Sequence, residues 1–187
     1  MPWAVRWLRH GGDLRWALHP ETWLVLRREL DSFPQPPRLL ELGAGLGGIL
    51  AAARGASVTA VDDRSHDLDR VRAAARELPI ELVLAPLRST SRGLGYSFGT
   101  VPSRDYELIF VDGPSVGREG LLTEDGLTLL ERATVIVVDD AVRPEEHALA
   151  ADVAARLGRS VVYEGPAAVI RRRDEAARRP RPPTPRA

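Results

Sequence analysis

Arg38 to Gly48 read RLLELGAGLGG, and the reading of this stretch decides the rest. An apolar run with one acid, RLLEL, predicts a strand ending near Leu42. Glycines at 43, 45 and 47 then let the backbone turn tightly, with no side chain between the chain and whatever approaches it. The apolar run from Ile49 predicts a helix whose N-terminus points into the same crevice. Two spacings are present at once: Gly43, Gly45 and Gly48 give G-x-G-x-x-G, while Glu41, Gly43, Gly45 and Gly47 give E-x-G-x-G-x-G. The next strand, SVTAV, ends at Asp62, 19 residues after Gly43, where a nucleotide-type site wants a carboxylate for ribose hydroxyls.

Outward from this pair, strand and helix patterns alternate. ILAAARG is a short helix closed by Gly55, and SHDLDRVRAAAREL a helix capped by Ser65. IELVL is a third strand. Ala85 to Arg104 reads as a long loop holding Gly93, Gly95 and Gly99, in which Tyr96 and Phe98 are placed to touch a ligand. YELIFVDGP is a buried strand ending at Asp112, followed by a Gly117-Arg118 linker and a helix over Glu124 to Arg132. ATVIVVDD is the next strand, ending in Asp139 and Asp140, and Pro144 starts a helix that runs to Leu157. SVVYE and AAVIRR flank a Gly165-Pro166 turn as a terminal hairpin. The order predicts a doubly wound α/β sheet, parallel at first with a reversed strand at the end.

All four tryptophans fall in the first 23 residues, at Trp3, Trp7, Trp16 and Trp23. Trp3 and Trp7 share a helix face. Pro20 suits the first turn of a second helix whose Trp23, Leu24, Leu26 and Leu30 face the sheet. These aromatics pack the N-terminal helices onto the domain or a second copy, or else form a lid over an apolar acceptor. His19 suits a capping or packing role. The expected division is an N-terminal helical extension over 1–37, a ligand-binding domain over 38–173 and a disordered basic tail over 174–187.

The 187 residues carry 26 basic and 26 acidic side chains, so zero net charge argues against a broad nucleic-acid footprint. At 44% apolar the composition is that of one globular domain. The absence of cysteine removes thiolate chemistry and disulfides, and the absence of lysine removes a lysine base. No apolar run has the length of a membrane span or signal peptide, so a cytoplasmic protein is the default expectation.

G-x-G-x-x-G is the dinucleotide fingerprint, but a dehydrogenase needs a second nucleotide-binding half and a substrate domain, which this length does not provide. E-x-G-x-G-x-G resembles the first motif of class I S-adenosylmethionine-dependent methyltransferases, and the ordered set LAPL, VDGP and VVDDA is similar to a bacterial and plant group of them. The resemblance implies a seven-stranded Rossmann-like sheet closed by an antiparallel hairpin. It also implies S-adenosylmethionine as cofactor and a small hydroxyl- or amine-bearing methyl acceptor.

On that pattern Gly43, Ala44, Gly45 and Gly47 lie against the methionine part, and Asp62 takes the ribose. Glu41 and Asp63 belong to the same cofactor-binding set, Pro86 borders the adenine, and Asp112 faces the transferred methyl. Asp112 and Asp139 are the catalytic candidates. With Asp140 they resemble the ligands of metal-dependent catechol-type O-methyltransferases, which implies a magnesium or calcium ion. Two departures stand out. Ser115 replaces a second proline after VDGP, and the lysine base of the metal-dependent enzymes has no counterpart. A non-catalytic binding protein, a nicotinamide-binding domain and an arginine-tailed nucleic-acid methyltransferase are the rival readings. The tryptophan-rich end also suits a homodimer.

Overall fold

The computed structural model describes residues 2–13 and 18–172. Trp16 and the basic tail of the sequence lie outside them. Helices α1 (Pro2–Arg9) and α2 (Pro20–Asp31) precede β1 (Arg38–Leu42), α3 (Leu46–Ala52), β2 (Ser57–Asp62), α4 (Ser65–Ala74) and β3 (Ile80–Leu84). A small hairpin, β4 (Leu87–Thr90) and β5 (Gly93–Tyr96), interrupts the alternation before β6 (Leu108–Val111), α5 (Glu124–Glu131), β7 (Val135–Val138) and α6 (Pro144–Arg156). β8 (Ser160–Glu164) and β9 (Ala167–Arg171) close the fold.

Seven strands form one sheet in the order β3-β2-β1-β6-β7-β9-β8. The first five in that order are mutually parallel, and β9 runs antiparallel to both β7 and β8. The order reverses between β1 and β6, and ligands of open α/β sheets bind outside the carboxyl ends of strands at such a reversal.

Two cores lie on opposite faces of the sheet, as strand alternation requires. Leu39, Leu108, Phe110, Val135 and Val137 face the side covered by α1 to α4, while Leu40, Leu42, Ile109, Val111, Ile136 and Val138 face the side of α5 and α6. Glu41 falls in register with Leu39, so the alternation points its carboxylate at α3.

Several local expectations change. Leu24 is 53% exposed; α2 instead buries Thr22, Trp23, Val25, Leu26, Glu29 and Leu30, which one helical stripe collects and Leu24 does not join. Helix α3 begins at Leu46, three residues ahead of the expected start, and α4 ends at Ala74. Ser65 is the first residue of α4, and Arg64 occupies the cap. The stretch after β3 is a hairpin, turned at Ser91-Arg92, where the Thr90 hydroxyl accepts from Arg92 N–H and donates to the Gly93 carbonyl. His19 caps α2 through its Nδ1, which accepts from Glu21 N–H at 3.4 Å.

Trp7 and Trp23 belong to the core on the α1 to α4 side, with Trp3 packed at its margin. α1 itself lies against α3 and α4. The Thr22 hydroxyl of α2 reaches Asp139, just beyond the end of β7.

Candidate ligand-binding and active site

The site is assembled at the carboxyl ends of β1, β2, β6 and β7. Glu41 is fully buried, and its two oxygens accept from Gly48 N–H at 2.6 Å and Gly45 N–H at 3.2 Å. It therefore holds the turn from inside, satisfying amides that a helix start leaves without partners. Burial pushes its carboxyl up to about 8, against the pull of the two amides.

The glycines of the turn answer to different neighbours. A methyl group built on Gly48 would stand 2.3 Å from Glu41 Oε2, and one on Gly47 would stand 2.7 Å from the Phe110 ring and 2.8 Å from Glu41 Oε1. Gly43 has φ +93°, and its methyl would strike Gly113 N at 2.5 Å; a methyl on Gly113 would strike Gly43 Cα at 2.6 Å. The ends of β1 and β6 thus pack backbone against backbone. Gly45 differs: a methyl there meets nothing closer than the Gly43 carbonyl oxygen at 3.9 Å. Its missing side chain leaves open space beside the strand ends, the cradle a ligand would fill.

Asp62 stands next to this space. Its Oδ2 accepts from Ala44 N–H at 3.0 Å and its Oδ1 from Arg64 N–H at 2.9 Å, so one carboxylate ties the β1 turn to the β2 turn. Burial pushes it up to about 6, with Asp67 and Asp63 adding to the rise. Two amides leave carboxylate lone pairs for a ligand hydroxyl. Asp63 is half-buried beside it, and Pro86 is exposed, its carbonyl accepting from Ser97 N–H at 3.0 Å to close the hairpin.

On the far side of the reversal, Asp112 N–H and Gly113 N–H both donate to the Leu42 carbonyl, at 2.8 and 2.7 Å. The Gly113-Pro114 peptide is cis, and Ser115 after it is exposed. Asp112 keeps part of its surface open, yet enough protein surrounds it that burial holds its carboxyl well above the ordinary range; Asp139 is the next cause. Asp139 is 3% exposed and accepts at Oδ1 from the Thr22 hydroxyl at 2.5 Å and from Asp140 N–H at 2.8 Å.

Arg118, which the sequence places in a linker, is buried behind these two strand ends. Its guanidinium donates to the carbonyls of Asp112 at 2.7 Å, Pro114 at 3.0 Å and Asp139 at 3.4 Å. It also lies 3.4 Å from Glu146 and 3.8 Å from Asp140. Beside it a cleft of about 250 Å³ opens, lined by Ser115, Val116, Arg143, Glu146 and Leu149.

The three expected metal ligands do not converge. Asp139 is held by Thr22, whereas Asp140, with φ 60°, turns to Arg143 at 2.9 Å. Among the described residues no group of three or more acids or histidines is arranged to hold an ion. With Asp139 bonded to the Thr22 hydroxyl and the Asp140 amide and Asp140 turned away to Arg143, the expected magnesium or calcium site is not formed by this geometry.

No protein-family profile matches the chain, and no curated protein matches its sequence. Solved structures do match its fold. A precorrin-6y C5,15-methyltransferase from Geobacter metallireducens GS-15 aligns with TM-score 0.60 and 17% identity, over 84% of this chain and 89% of that one. A TehB-like SAM-dependent methyltransferase from Corynebacterium glutamicum aligns with TM-score 0.55 and 18% identity, over 91% and 96%. WbdD aligns with TM-score 0.51 and 16% identity over 81% of this chain, which spans 38% of the WbdD chain. At such identities the likeness is one of architecture. The chain has the Rossmann-like fold of the S-adenosylmethionine-dependent methyltransferases, with a reversed β9 completing its sheet.

Proposed function

We propose that this protein transfers a methyl group from S-adenosylmethionine to a hydroxyl or amine of a small molecule. The observation that carries the reading is the open space over Gly45, flanked by Ala44 and the Asp62 carboxylate that fixes it, at the reversal of a sheet shared with such enzymes. Bound there, the cofactor would supply a methyl already activated by a positively charged sulfur.

The chain's own residues then have positioning work to do, from which most of the rate of such a transfer comes. Glu41 fixes the turn, Asp62 takes ribose hydroxyls, and the hairpin β4–β5 excludes water from above. Asp112 and Asp139 face the acceptor. As the new bond forms and the carbon–sulfur bond breaks with its pair to sulfur, the acceptor's proton passes to one of these carboxylates. Burial, which raises both carboxyls, makes them better proton acceptors than exposed aspartates. With Asp139 held by Thr22 and Asp140 turned to Arg143, the reading contains no metal.

Calorimetry with S-adenosylhomocysteine tests it. The wild type should bind, and Asp62→Ala should bind at least about tenfold more weakly, the loss of a charged hydrogen bond. Absence of heat with a folded wild type would remove the reading, and a fluorescence response to NADH instead would replace it with a nicotinamide site.

A further inference from the structure

Tyr96, the last residue of β5, carries a group that the fold alone does not explain. Its ring is 3% exposed and meets Phe98 edge-on, with centroids 6.3 Å apart. Its hydroxyl is sealed from solvent and has no hydrogen-bond partner. The location is specific: a methyl built on Gly113 would stand 3.2 Å from that oxygen and 2.6 Å from Gly43 Cα. The phenol tip thus hangs over the contact between the ends of β1 and β6, at the reversal of the sheet. Asp62, Asp63 and Asp112 surround it closely enough to oppose its ionisation, after burial itself.

A phenol hydroxyl offers one donor and two acceptor positions. Leaving it unmet inside a protein costs more than one hydrogen bond gains, so such groups are rare where no partner ever arrives. Here the Asp62 carboxylate is bonded to the Ala44 and Arg64 amides, and the hydroxyl lies over the ends of β1 and β6. The hairpin that carries it is two strands of four residues, anchored at its base by Ala85 N–H to the Asp62 carbonyl at 2.8 Å. It is packed backbone to backbone along 117–120, where a methyl on Gly120 would strike Gly95 Cα and one on Gly117 would stand 2.7 Å from the Leu94 carbonyl oxygen, so the phenol is held at these strand ends.

We propose that Tyr96 is a binding residue of the methyl-donor site, its hydroxyl donating to an acceptor oxygen of the adenosyl ligand bound at the ends of β1 and β6. The inference rests on the function proposed above and gives the ligand contact expected of Tyr96 from the sequence a specific atom and partner.

Tyr96→Phe keeps the ring and removes only the oxygen, and it has two readouts. Without ligand the variant should melt at or above the temperature of the wild type, because an unmet polar group has gone. In calorimetry its affinity for S-adenosylhomocysteine should fall about 5- to 10-fold, the worth of one hydrogen bond. Equal affinity of variant and wild type would overturn the inference and leave the methyl-donor reading standing. A variant that melts well below the wild type would also overturn it, since the hydroxyl would then be bonded within the protein. A folded wild type that does not bind removes the function and this contact together.

Discussion

Glu41 decides what the glycines of the first turn are for. Gly47 and Gly48 make room for its carboxylate and for Phe110, and Gly43 makes room for Gly113, so three of the four serve the protein's own packing. Gly45 alone among them faces open space, and this separates two substitutions that look alike in sequence. Gly48→Ala drives a methyl into a carboxylate held by two amides and should cost about 1–3 kcal/mol in denaturant unfolding. Gly45→Ala should change stability by less than about 0.5 kcal/mol, its backbone being extended, yet weaken S-adenosylhomocysteine at least tenfold in calorimetry. Equal effects of the two on stability would show that the turn is not built around Glu41. The glycine and acid pattern was legible because strand ends and turns leave local signatures. Arg118 was not, for nothing in the spacing of a Gly-Arg pair says that the guanidinium folds inward onto three carbonyls.

Among the elements, the sheet strands were readable from apolar runs bounded by glycine and proline, and the terminal hairpin from Gly165-Pro166. The β4–β5 hairpin was not: its Ser91-Arg92 turn lacks the Asn-Gly type of signal, and its strands, LRST and GLGY, carry no apolar alternation. Helix α2 was readable too, but its buried polar residues were not. Thr22 and Glu29 are both completely buried, the former bonded to Asp139 and the latter paired with Arg171 at 2.5 Å. Through Thr22 an N-terminal helix fixes an acid at the end of β7. Thr22→Val keeps the shape and removes the donor, and should lower unfolding free energy by about 1–3 kcal/mol while Thr22→Ser loses much less. If both variants unfold at the same denaturant concentration, the hydroxyl contributes nothing to this junction.

For the whole molecule, the gathered acids set a pH dependence with a definite sign. Glu41 and Asp62 hold their protons to about 8 and about 6 in the folded protein, above the ordinary values of 4.5 and 3.8. Their favourable contribution is complete below the ordinary values and is lost as pH rises through 6 and then 8. Each pH unit over which the fold keeps a proton that the unfolded chain has released takes away about 1.4 kcal/mol. Glu107 and Glu164, held below the ordinary range by Arg38 and Arg28, act in the opposite direction but only under acid conditions. The melting temperature should therefore fall between about pH 5.5 and about pH 8.5, and a flat profile over that interval would mean that the two carboxylates are already ionised in the fold. A doubly wound, mostly parallel sheet with a reversed strand at the end followed from the alternation; the order of its strands, with the reversal between β1 and β6, and the charge state of what collects there needed three dimensions.

The mutual exclusion of Gly43 and Gly113 has a consequence for how such a chain can drift. Neither locus can acquire a side chain alone, and no compensating shrinkage exists, because each is already the smallest residue opposing the other. A descendant that lost either one would have to spread its two central strands by roughly a methyl diameter, displacing whatever hangs from both. Two positions 70 apart in the chain are thus bound to a single evolutionary fate.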